Sequence, residues 1–165
     1  MRSVDEWLAA YGESHQNPVN KAIHWLCVPV ILITLIGVLW EIQLPSPFES
    51  QILGIPALEL SNLGVALILC ALLYYAILSL PLAMGMVIVL GGSVLAVVGL
   101  KKIGALLGVS LLQLSLALFV VAWIGQFIGH KIEGKKPSFF EDIQFLMIGP
   151  LWLLSFVYRR LGINY

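Results

Sequence analysis

The chain has 165 residues, 60% of them hydrophobic and 11% charged, with a formal net charge of zero and a mean hydropathy of +0.99. A soluble domain is about 45–50% apolar and about 25% charged, so an ordinary soluble domain is excluded. The neutral balance likewise removes the basic footprint of a nucleic-acid binder. The composition predicts one all-α, integral-membrane domain over residues 1–165, a multi-spanning helix bundle with four main spans and a shorter C-terminal apolar helix.

The first twenty residues are polar and carry Asp5, Glu6 and Glu13, unlike a cleaved secretory segment. A short helix is expected over Ser3–Ser14. It should end before Asn17-Pro18, because the residue before a proline avoids helical backbone and Asn suits a cap. Four runs then reach the roughly 20 residues a bilayer crossing needs: Ile23–Trp40, Leu63–Leu80, Leu82–Leu100 and Ile103–Ile128, none containing Asp, Glu, Lys or Arg. Pro81 separates the second from the third, which predicts a tight hairpin or one broken element. Gly149-Pro150 interrupts a fifth run, Ile143–Tyr158, which is read as a kinked span, a re-entrant segment or an interfacial helix. Cys27 and Cys70 lie in apolar runs and are read as small buried residues. Gln113, the strongly polar residue inside the fourth run, is expected to bond to a neighbouring helix.

Basic residues set the orientation. Arg2 and Lys21 precede the first run, and Lys131, Lys135 and Lys136 follow the fourth. The loop after the first run carries Glu41, Glu49 and Glu59 and no cation, so it is placed outside. Both termini are then cytosolic, with Lys101 and Lys102 standing against the bias. Arg159 and Arg160 favour a last run that does not cross.

The chain has three histidines, His15, His24 and His130, and this topology puts all three on the cytosolic side. Ionisable groups at membrane depth are expensive and therefore functional candidates. In Ser14-His15-Gln16-Asn17-Pro18-Val19-Asn20-Lys21-Ala22-Ile23-His24 the bend at Pro18 can fold His15 back over His24. Asn20, four residues before His24, shares its face and could bond to a ligand. The plainer reading is an interfacial loop with a capping Asn and two solvated histidines. In the second cluster Gln126, His130 and Glu133 fall on one helical face. The plainer reading there is a helix C-terminus whose His and Lys suit the dipole. It explains the lysines but not Gln126, whose buried amide needs a partner. Three imidazoles, with Glu133 as a candidate fourth ligand, suit Fe²⁺ or Zn²⁺. A His-Glu-x-x-His zinc motif and a Gly-rich phosphate loop are both absent from the sequence.

The segment His15-Gln16-Asn17-Pro18-Val19-Asn20-Lys21-Ala22-Ile23-His24 with Val28-Pro29, and the segment Gln126-Phe127-Ile128-Gly129-His130 with Glu133 and Lys135-Lys136-Pro137, resemble the two signatures of the membrane 2-hydroxy fatty acid dioxygenases, a family whose founding member acts in yeast phytosphingosine breakdown. The resemblance runs through the later Gly149-Pro150 segment in the same order. It implies an Fe²⁺-dependent oxidoreductase that takes a long-chain 2-hydroxy fatty acid and O₂ and gives CO₂ and an acid one carbon shorter, without 2-oxoglutarate. His15, His24 and His130 are the implied catalytic and metal-binding residues, and Zn²⁺ could replace iron in a purified sample. For such a substrate, Asn20, Gln126, Lys131, Lys135 and Lys136 are candidate binding residues, the lysines facing the carboxylate at the interface. The compact size fits a bacterial cytoplasmic membrane, with an endoplasmic reticulum membrane as the alternative. Two other functions compete, a non-catalytic lipid-binding or scaffold protein and a small transporter. A transporter should carry polar groups at the midplane, whereas here they gather at the ends.

Overall fold

The computed structural model describes residues 2–45, 51–52, 55–56, 60–137 and 144–165. Its helices are α1 (Val4–Glu13), α2 (Pro18–Trp40), α3 (Leu63–Leu78), α4 (Leu80–Leu107), α5 (Leu111–Glu133) and α6 (Phe145–Leu161), with a two-residue antiparallel pairing between β1 (Gln51–Ile52) and β2 (Ile55–Pro56). Glu49 and Glu59 of the α2–α3 connection, and Ile143 at the start of the fifth run, lie outside the described residues.

Capping chemistry decides the boundaries. Ser3 and Glu6 form a reciprocal capping box that starts α1, and the Asn17 side chain accepts from the Val19 and Asn20 amides to start α2. The junction between the last two long helices differs from the expected one. Lys101 and Lys102 were the expected break, yet α4 runs through them to Leu107. Gly108, at φ 71°, stops it, and Ser110 opens α5 in a capping box with Gln113. Gln113 therefore serves its own N-terminus, not a neighbouring helix.

Among the described residues three helices, α2, α4 and α5, are long and apolar enough to cross a membrane, which marks the chain as membrane-associated. The fourth expected full span is not reached. α3 has 16 residues, about 24 Å of helix, because Ser79 leaves helical backbone and caps α4 instead.

The chain alternates direction, so the α2 start, the α3 end, the α4 start and the α5 end share one end of the bundle. α6 packs across that same end. Its Met147 carbonyl accepts from the Tyr75 hydroxyl at 2.8 Å, and its Tyr158 hydroxyl donates to the Pro81 carbonyl at 2.7 Å. Of the readings left open for the Gly149-Pro150 run, this arrangement is a helix laid across the bundle end. Gly149 allows the close approach of Tyr11, whose hydroxyl would be 3.1 Å from an added Cβ. Cys27 is buried, but Cys70 is exposed on the outer face of α3.

α2 and α5 meet through small residues. An added Cβ at Gly125 would lie 2.7 Å from the Cys27 sulfur, and one at Gly129 would run into the Asn20 side chain. Small residues let helix backbones approach in the absence of a hydrophobic driving force between them. Here the approach brings the His24 turn against the His130 turn. Gly129→Leu should push the two helices apart, lower stability by about 1–3 kcal/mol and separate the histidines. Thermal unfolding in detergent reads this against Gly99→Leu, where an added Cβ meets nothing within 4 Å. Equal melting of the two variants would contradict it.

Candidate metal centre

His15 follows the end of α1, His24 sits two turns into α2, and His130 lies in the last turn of α5. The chain reversal at Asn17-Pro18 folds α1 back, and the rings converge. Centroids lie 4.3 Å apart for His15 and His24, 5.0 Å for His15 and His130, and 4.9 Å for His24 and His130. One ring nitrogen from each falls within 4.8 Å of the other two. All three side chains are buried, at 1%, 0% and 5% exposure, so they are not solvated interfacial histidines.

Their hydrogen bonds fix which nitrogens carry protons. His15 Nδ1 lies 2.6 Å from the Tyr11 carbonyl, and His24 Nδ1 lies 2.9 Å from the Asn20 carbonyl. A carbonyl only accepts, so each Nδ1 donates and each Nε2 keeps its lone pair. Those two Nε2 atoms and His130 Nδ1 are buried without a hydrogen-bond partner among the described residues. A buried polar atom left unpaired costs about 1–3 kcal/mol, and here three such atoms, one per ring, are gathered together. Such a set could hold a metal ion, and the backbone carbonyls stand where outer partners orient metal-binding imidazoles. Burial, reinforced by neighbouring His24, lowers the His15 pKa from 6.5 to about 3 against the opposing Tyr11 hydrogen bond. The ring is therefore neutral at physiological pH, as a ligand must be.

Glu133 turns towards the α1–α2 corner. Its carboxylate accepts from the Gln16 amide at 2.8 Å, the Asn17 amide at 2.9 Å and the Asn20 side-chain amide at 3.0 Å. Asn20 is fully buried, and its amide also donates to the Ser14 carbonyl at 3.1 Å. Gln126 sits beside His24, and its buried Nε2 closes no hydrogen bond. Lys131, Lys135 and Lys136 are exposed, and Lys135 Nζ donates to the Glu13 carbonyl at 2.9 Å.

Two partners escaped the sequence reading. Tyr11 stacks on His15 with centroids 4.1 Å apart and planes 12° from parallel, and Trp152 of α6 lies 5.2 Å from the same ring. Neither spacing along the chain nor residue type singles them out from packing aromatics. A cavity of about 460 Å³ opens beside His15 and His130, which line it together with Gln126 and Gln144, and the rest of its lining is mostly apolar side chains of α2 to α6.

The family profile described as "2-hydroxy-palmitic acid dioxygenase Mpo1-like" matches residues 1–161. The chain belongs to this Mpo1-like family. It is 27% identical over 157 residues to the 2-hydroxy-palmitic acid dioxygenase MPO1 of Saccharomyces cerevisiae, covering 94% of this chain and 79% of the yeast protein. No solved structure matches the chain. The Mpo1-like match takes in all three histidines, both helices that carry them, and the α6 segment that closes the cavity.

Proposed function

We propose that the chain is an iron-dependent dioxygenase of long-chain 2-hydroxy fatty acids, converting the acid and O₂ into CO₂, water and a fatty acid one carbon shorter. The observation that carries this reading is the meeting of two features at one place. Three buried imidazole nitrogens, without hydrogen-bond partners among the described residues, are gathered together, and two of those rings, His15 and His130, border a cavity lined mostly by apolar side chains. The yeast relative's printed name supplies the substrate class.

Fe²⁺ held by His15, His24 and His130 would supply O₂ activation and a Lewis acid for the substrate's oxygens, and the same donors would accept Zn²⁺ during purification. The chain's own groups do the rest. The Tyr11 and Asn20 carbonyls hold two rings with their lone pairs directed inward. Gln126 offers an unused N–H to an oxygen of the substrate head. The exposed ammonium groups of Lys131, Lys135 and Lys136 draw the carboxylate to this end of the bundle. The apolar cavity takes the tail and keeps water from the reacting carbon.

Lys21, Lys131, Lys135 and Lys136, with Arg159 and Arg160 of α6, lie at the end of the bundle that holds the histidines. This charge bias favours a site at the cytosolic face. Purified protein given 2-hydroxypalmitate, Fe²⁺ and O₂ should release CO₂ from a labelled carboxyl group and form the acid one carbon shorter. Failure to form any shortened acid across a range of chain lengths would leave a non-catalytic lipid-binding protein.

A further inference from the structure

The cavity beside the histidines reaches deep into the bundle. On α5 its lining runs from His130 back to Phe119, eleven residues or about 16 Å along the axis. On α2 it reaches Leu35 and Ile36, the latter twelve residues beyond His24, about 18 Å. α3 completes this end with Leu67 and Ile68. The direction is fixed independently, since an added Cβ at Gly64, at the start of α3, would lie 2.8 Å from the Ile36 carbonyl. Ile36 and Ile68 are buried, at 0% and 7% exposure, so protein backs this part of the wall, while Leu35, Leu67 and Phe119 beside them are half-buried.

The hydrocarbon core of a bilayer is about 30 Å thick, hence about 15 Å for the acyl layer of one leaflet. The depth of this cavity is close to that figure. A single long acyl tail entering from the histidine end reaches the wall made by α2, α3 and α5.

We infer that the far wall of this cavity, Leu35, Ile36, Leu67, Ile68 and Phe119, sets the chain length of the acid that the protein accepts, with Ala71 keeping the passage to it open. Ala71 is the smallest α3 side chain on the lining. It lies one turn nearer the histidines than Leu67, where a larger residue would block the passage before the wall. Phe119 is the bulkiest side chain of the wall itself. The inference rests on the reading that the tail occupies this cavity, but it does not require turnover.

The test is equilibrium binding of 2-hydroxy acids, lengthened two carbons at a time, by displacement of a fluorescent fatty acid from the detergent-solubilised full chain. Turnover of the same acids is followed in parallel. Ala71→Phe should move the preferred length shorter and change the affinity ratio of a long to a short acid by roughly tenfold or more, the scale on which an apolar pocket resolves methylenes. Phe119→Ala should move the preference the opposite way, and it keeps the test available if the filled variant does not fold. An unchanged length profile in both variants, or an equal loss at every length, would overturn the inference. A length profile that shifts as expected without turnover by the unaltered chain would uphold the wall and reject the dioxygenase reading. No binding at any length would reject both.

Discussion

His130→Ala is expected to take the bound metal from about one ion per chain to nearly none and to reduce product formation by more than about 100-fold, since even the outer partners of metal ligands are worth 10–100-fold. The substitution leaves His15 Nε2 and His24 Nε2 alone in a buried pocket, two neutral donors where three had converged. The cost is also directional. His130 is the contribution of α5, whereas the other two histidines come from α1–α2 and its corner, so its loss severs the site across the helix interface. Elemental analysis of the purified variant measures the metal, and the fate of 2-hydroxypalmitate measures the chemistry. Cys70→Ser, on the exposed face of α3, should change neither. Full metal content in His130→Ala, or in a variant lacking all three imidazoles, would dismiss the centre.

Hydrophobic run length made the long helices readable, and the Asn17-Pro18 break made the α1–α2 reversal readable. Both signals are local, as capping and proline sterics are. The α4–α5 turn was misplaced because two charged residues look like an end in a hydropathy sense, whereas Gly108 and the Ser110–Gln113 capping box decide it sterically and through hydrogen bonds. The shortening of α3 came from the same cause, with Ser79 and Pro81 favouring a fresh start over continuation. At the site, residue type and helical phase pointed to His15, His24 and His130, and the structure brings those rings together. What Glu133 and Asn20 touch could not be read, because the three donors to Glu133 lie more than a hundred residues away along the chain and the other acceptor of the Asn20 amide, the Ser14 carbonyl, is in a non-helical corner. The close approach of α2 and α5 did leave a trace, in Gly125-x-x-x-Gly129, a spacing that lets backbones meet. The cavity left none, because its lining side chains have the same composition as the lipid-facing ones.

Glu133→Ala should weaken metal binding and lower turnover by about 10–100-fold with all three imidazoles intact. Three donors converge on this carboxylate, two of them backbone amides of the corner between His15 and Pro18. The third is Asn20, whose own carbonyl orients His24. One side chain at the end of α5 thus ties down the supports of the two histidines on the other helices. Removing it leaves those donors without an acceptor and frees the corner to drift from His130. Glu133→Gln should fall between, since an amide keeps one accepting oxygen but presents N–H where an N–H must donate. A positioning role has a signature that a ligand role lacks. Saturating Fe²⁺ should restore much of the turnover of Glu133→Ala, and the visible spectrum of the Co²⁺-loaded protein should keep the band pattern of an unchanged donor set. A changed spectrum with no rescue would make the carboxylate a ligand. Unaltered affinity and turnover would mean that α1 is held in place without this carboxylate, by the packing of Tyr11 against Trp152 and Phe145 and by the Lys135 bond to Glu13.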